Sequence, residues 1–137
     1  MKYNNVIENK LRLLEKKLEE IESWNIDSFE KLKESSLLQN AVERALQVAI
    51  EIMIDISERI LSLEKVSPRE TSADNIKKLK DLGVIEDSER YIDMVRFRNY
   101  IVHRYEYIEP EILYNIVSSK LEAFTNFIHE IRSVQKS

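Results

Sequence analysis

The 137-residue chain contains no cysteine. Disulfides, thiolate-ligated zinc, iron–sulfur clusters and thiol catalysis are excluded together. It carries 2 histidines, too few for a His-rich metal site. A single glycine cannot build a Gly-rich phosphate loop, which removes the P-loop and dinucleotide-binding classes. With 1 Gly and 2 Pro the chain also lacks the turn residues that an all-β protein needs every few positions. No run of 18 apolar residues occurs, so no segment reads as a membrane span, and the N-terminal MKYNNVIENK has no apolar signal core. A reduced, cytoplasmic setting fits these features. The net charge is -4, so bulk electrostatics do not advertise nucleic-acid binding, and any RNA site must be a local basic patch.

What is present is helical. At 43% hydrophobic and 34% charged, the chain is too apolar to be disordered, and its length suits one domain spanning residues 1–137. Ile7, Leu11, Leu14, Leu18 and Ile21 recur at spacings of four and three, one apolar stripe of a helix that ends at Trp24-Asn25-Ile26. Asp27, with Glu30 three residues on, reads as a cap for a new turn. A second long helix is expected from about Ser36 to Leu63. Its centre, AVERALQVAIEIMIDI, is apolar around most of its circumference and belongs in the middle of a bundle. Glu51 and Asp55 interrupt it, and they are expected to accept hydrogen bonds from a basic helix elsewhere, Arg98 among its residues. Pro68 marks a linker; Thr71 and Asp74 have capping-box spacing ahead of a short helix, which Gly83 stops with Val84 as an apolar lid. A fourth helix starts near Asp87 or Ser88. A fifth follows Pro110 and carries two adjacent stripes through Ile131. The expectation is an all-α fold, an up-and-down bundle of four long helices plus one short inserted helix.

Residues 90–105, RYIDMVRFRNYIVHRY, concentrate positive charge in this acidic chain. Arg90, Arg96, Arg98 and Arg104 face one acid, Asp93. Tyr91, Phe97, Tyr100 and Tyr105 interleave with them, and cations alternating with aromatics suit a phosphate backbone and stacked bases. The same pattern also describes a solvated helix face with tyrosines half in the core. Arg98 and His103 are five steps of about 100° apart, which puts them about 140° from each other, flanking one side of the helix. His129, near charged residues on the last helix, reads as surface. Glu51 and Asp55 are too few to hold a metal.

Phe97-Arg98-Asn99, Val102-His103 and Tyr105, with an acid and Pro110 soon after, resemble the HepT toxins of the HEPN superfamily of small helical ribonucleases. The family motif is an Arg, a small polar residue and a His after four to six positions; HepT members add a Tyr two after the His. AVERALQVAIEIMIDI resembles the family's central helix and LKDLGVI its turn before the active helix, so the likeness runs from about residue 36 to 130. Arg96 stands where a small residue is common, and Glu109 where Asp is common.

The resemblance implies a HEPN-like bundle and an endoribonuclease toxin of a type VII-like toxin–antitoxin pair. Arg98 and His103 are then catalytic, with Asn99 in support and Arg96 and Arg104 on the RNA. RNA brings its own nucleophile, the 2′-hydroxyl, so cleavage needs a proton shuttle and a cation on the developing phosphorane. Histidine and arginine suit those roles without a metal or cofactor. One His is hard to use as both acid and base, and HEPN ribonucleases are homodimers that bring two Arg/His pairs into one cleft. The implied partner is an MntA-like minimal nucleotidyltransferase antitoxin that transfers AMP to a tyrosine beside the motif, Tyr105 or alternatively Tyr100. A non-catalytic docking subunit for such a nucleotidyltransferase is the other reading, and a plain dimeric scaffold the third.

Overall fold

The computed structural model describes residues 2–67, 69–103 and 108–136, and no strand occurs among them. The helices are α1 (Asn5–Ser23), α2 (Phe29–Lys33), α3 (Ser36–Leu63), α4 (Ser72–Asp81), α5 (Glu89–Val102), α6 (Pro110–Ser119) and α7 (Glu122–Gln135). The all-α expectation holds.

Helix starts follow capping chemistry. Asn4, Ser28, Ser35 and Thr71 are extended, and each side chain accepts from the amide of the third helical residue, satisfying one of the orphan donors there. Thr71 thus caps as expected. Asp27 does not: the cap of α2 is Ser28, one residue later, whose hydroxyl reaches the Lys31 amide at 3.2 Å.

Gly83 adopts φ 77°, and its amide bonds the Lys80 carbonyl while the Val84 amide bonds that of Leu79. This pair of bonds closes the end of α4, with Val84 buried over it. Lys65 ends α3 in the same way at φ 59°, paying the left-handed strain that glycine would avoid.

The apolar stripe of α1 is buried along its whole length. Helix α3 packs against all six other helices, as its apolar circumference requires. Val42, Leu46, Ile50, Met53 and Ile60 of α3 are fully inaccessible at the centre of one core.

The fifth expected helix is two. It breaks between Ser119 and Glu122, with no glycine or proline nearby. The hydroxyls of Ser118 and Ser119 bond back to the carbonyls of Tyr114 and Asn115, a competition with the helix ladder that bends helices. The bend keeps Leu113 and Ile116 of α6, and Phe124, Phe127 and Ile131 of α7, on the same core.

Candidate functional site

Helix α5 carries the cluster of arginines and is held on both sides of its start. Tyr91 is 1% exposed, meets Phe127 edge-on at 5.3 Å and donates its hydroxyl to Glu130 Oε2 at 2.6 Å. Glu130 Oε1 accepts the Glu86 amide at 3.2 Å, so one carboxylate of α7 joins the turn before α5 to its first turn. Burial and the adjoining Glu130 carboxylate push the Tyr91 phenol far above its ordinary pKa, so it stays a donor.

The helix then divides its charged residues between two sides. Arg98 falls on the stripe of Met94, Val95 and Ile101, all buried, and is itself half-buried. Its Nε is shut off from solvent and has no hydrogen-bond partner among the described residues. A buried guanidinium donor left without a partner costs on the order of 1–3 kcal/mol. His103 lies on the other side as the exposed C-cap of α5. Its main-chain amide bonds the Asn99 carbonyl at 3.2 Å. Asn99 and Arg96 are exposed on that same side, and Arg96 reaches Asp93 at 3.3 Å. Phe97 and Tyr100 are half-buried beside them with rings stacked at 6.5 Å and 27°. Arg104 and Tyr105 lie outside the described residues.

One flanking Arg and one terminal His on a single helix can bind a phosphate and move a proton. Two clefts that open along α5 are lined by Asp93 and Met94, one of them also by Phe97, and neither has Arg98 or His103 among its described residues.

A family model described as ribonuclease HepT-like matches residues 14–131. The chain belongs to the HepT-like ribonuclease family. Curated relatives of this HepT-like chain include an mRNA nuclease HepT from Shewanella oneidensis, 28% identical over 95% of this chain and 98% of that protein. Another is a tRNA nuclease HepT from Aphanizomenon flos-aquae, 25% identical over 93% and 88%. Among solved structures, a tri-AMPylated Shewanella oneidensis HEPN toxin in complex with MNT antitoxin superposes with TM-score 0.86 at 28% identity, covering 95% of this chain and 98% of that one.

Two expectations need correction or placement within the HepT-like bundle. Asp55 does not serve the basic helix. It pairs with Lys10 at 2.7 Å and Arg59 at 3.2 Å; burial raises its pKa, but the hydrogen bonds and charges of those two partners outweigh burial and lower it. Glu51 is exposed. His129 is exposed on α7, as its surroundings suggested. The Glu130 link to Tyr91 carries no local sequence signal, since its partners stand 39 residues apart. No helix among the described residues is long and apolar enough to cross a membrane.

Proposed function

We propose that this HepT-like chain is a metal-independent endoribonuclease, the toxin of a toxin–antitoxin pair working in the cytoplasm. The observation that carries the reading is Arg98, a half-buried guanidinium on the helix that ends in exposed His103. A guanidinium is a permanent cation with donors that match phosphate oxygens, and phosphate is what a ribonuclease must hold.

His103 takes the proton of the 2′-hydroxyl as its oxygen attacks phosphorus. The bond from phosphorus to the 5′-oxygen breaks, leaving a 2′,3′-cyclic phosphate. The leaving oxygen receives a proton from a second histidine. The chain contributes one such group, so the reading requires a two-fold dimer in which two copies of Arg98 and His103 surround one groove. Arg98 carries the charge that builds on the phosphorane. Asn99, Arg96 and Arg104 hold the flanking backbone. An MntA-like nucleotidyltransferase silences the site by adding AMP to Tyr105, or to Tyr100, which places a phosphodiester charge where RNA phosphate would sit.

The test is cleavage of RNA by the purified protein with chelator present. Wild type cuts and His103→Ala does not. Equal cleavage by both sinks the assignment.

The acid excess of the whole chain favours a second reading, a non-catalytic docking subunit for the same nucleotidyltransferase. Absence of cleavage by a dimeric, fully folded wild type selects it.

A further inference from the structure

The start of α5 is tied to α7 by the carboxylate of Glu130. Phe127 and Glu130, one turn apart on α7, grip two parts of one tyrosine. The Tyr91 ring meets Phe127 at 5.3 Å and 78°, and its hydroxyl donates to Glu130 Oε2 at 2.6 Å. Glu130 Oε1 accepts the Glu86 amide at 3.2 Å, from the turn ahead of α5. Helices α1 to α4 each begin with a side-chain cap, whereas Ser88 at the start of α5 makes no such bond. Asp87 accepts the Glu89 amide there at 3.3 Å, a local bond that fixes nothing relative to the bundle. Helix α7 is itself a held frame: Arg132 reaches Glu8 and Glu15 of α1 at 2.8 and 2.7 Å, and Gln135 accepts the Tyr3 amide at 2.7 Å.

We infer that Glu130 is a positioning residue for cleavage: through Tyr91 it sets the rotation of α5 about its own axis, and with it the place of Arg98. The inference rests on the ribonuclease reading above. Arg98 follows Tyr91 by seven residues, about 700° of turn, so it returns to within about 20° of the same line, about 10.5 Å along the axis. Met94 and Val95 fill that line between them, and both are buried.

Apolar burial is non-directional and tolerates a small rotation, whereas a hydrogen bond weakens as its angle opens. The bonds to Glu130 are therefore what hold α5 in phase. Side-chain atoms stand about 5–6 Å from a helix axis, so about 10° of rotation carries them about 1 Å. A misplacement of about 1 Å, caused far from the chemistry, can cost about 100-fold in rate. His103, the C-cap at the other end, turns with the same helix.

The experiment follows the Arg98 Nε–H signal by NMR in the full chain. Single-turnover cleavage at saturating RNA is measured on the same preparations, with the folded fraction read by circular dichroism. Glu130→Ala is expected to move the Arg98 signal and to slow cleavage by about 10–100-fold while staying folded. Glu130→Gln keeps an oxygen for the Glu86 amide and turns its NH2 toward the Tyr91 oxygen, so it is expected to restore the signal and most of the rate. An Arg98 signal unmoved in Glu130→Ala, a wild-type rate there, or a slowing that merely tracks the unfolded fraction overturns the inference and leaves the ribonuclease reading standing. A wild type that cuts no RNA removes the ribonuclease reading, and the Arg98 signal then decides alone whether Glu130 sets its place.

Discussion

The hydroxyl of Tyr91 and the carboxylate of Glu130 meet at 2.6 Å, and this contact joins the helix of Arg98 and His103 to the last helix of the bundle. The tyrosine ring is buried, so its hydroxyl has no water to fall back on. Tyr91→Phe keeps the ring packing against Phe127 and removes only the donor. It is expected to cost about 1–2 kcal/mol, below the full value of a charged hydrogen bond because Glu130 keeps the Glu86 amide. Urea unfolding followed by circular dichroism reads this directly, and a change under about 0.3 kcal/mol refutes it.

Arg98 and His103 are expected to separate stability from activity. Arg98→Met removes a buried donor that has no partner among the described residues, so unfolding free energy should stay within about 1 kcal/mol of wild type or rise. Cleavage should nevertheless disappear. His103→Ala, at an exposed C-cap, should likewise keep the fold while lowering cleavage by about 10²–10⁴-fold. A large loss of stability in Arg98→Met would mean that the guanidinium serves the core.

Arg132 of α7 grips α1 through both Glu8 and Glu15, at 2.8 and 2.7 Å. The Arg132 hydrogen bond, with its charge and that of Arg12, outweighs burial and holds the Glu15 carboxyl below its ordinary 4.5. A carboxyl lowered in the folded state stabilises above its unfolded value, and that contribution is lost as pH falls through the lower folded value. Stability should therefore decline on acidification below about pH 4.5, and Arg132→Met should flatten that limb. The partners are part-exposed, so Glu15 itself contributes under about 1 kcal/mol and less at high salt. An unchanged acid limb in the variant contradicts the linkage.

Backbone handedness gives a pair of opposite expectations. Gly83 has φ 77° and open space where a Cβ would stand, so Gly83→Ala strains only the backbone and should cost about 1 kcal/mol. Lys65, at φ 59°, is the converse, and Lys65→Gly should gain about 0.5–1 kcal/mol. Thermal melts of the two variants should move in opposite directions by a few degrees. Movement in the same direction rejects the argument.

Control of the toxin is tested by intact mass after co-expression with the cognate nucleotidyltransferase. AMP increments are expected on wild type, lost in Tyr105→Phe and accompanied by loss of RNase activity. Increments that persist there but vanish in Tyr100→Phe assign the other tyrosine. An inhibited protein carrying no increment points to steric blocking alone.

The helices of this protein are written in short-range chemistry. Ile7 to Ile21 marks a buried face because spacings of three and four repeat on one side of a helix. Thr71 caps and Gly83 stops because each acts on amides or carbonyls within five residues. The Arg98–His103 spacing was legible for the same reason, since a helix converts spacing into angle. Tertiary packing decided the rest. Whether Arg98 would face core or solvent depended on where α3, α4 and α7 lie around α5, which no local pattern states. Arg132 finds Glu15 and Glu8 across 117 and 124 residues, and α6 parts from α7 at two serines whose hydroxyls compete with the ladder. Hydrophobic periodicity and capping are settled within a turn or two of chain, whereas partner choice between charged groups is settled only when a packed core has fixed which helix faces lie side by side.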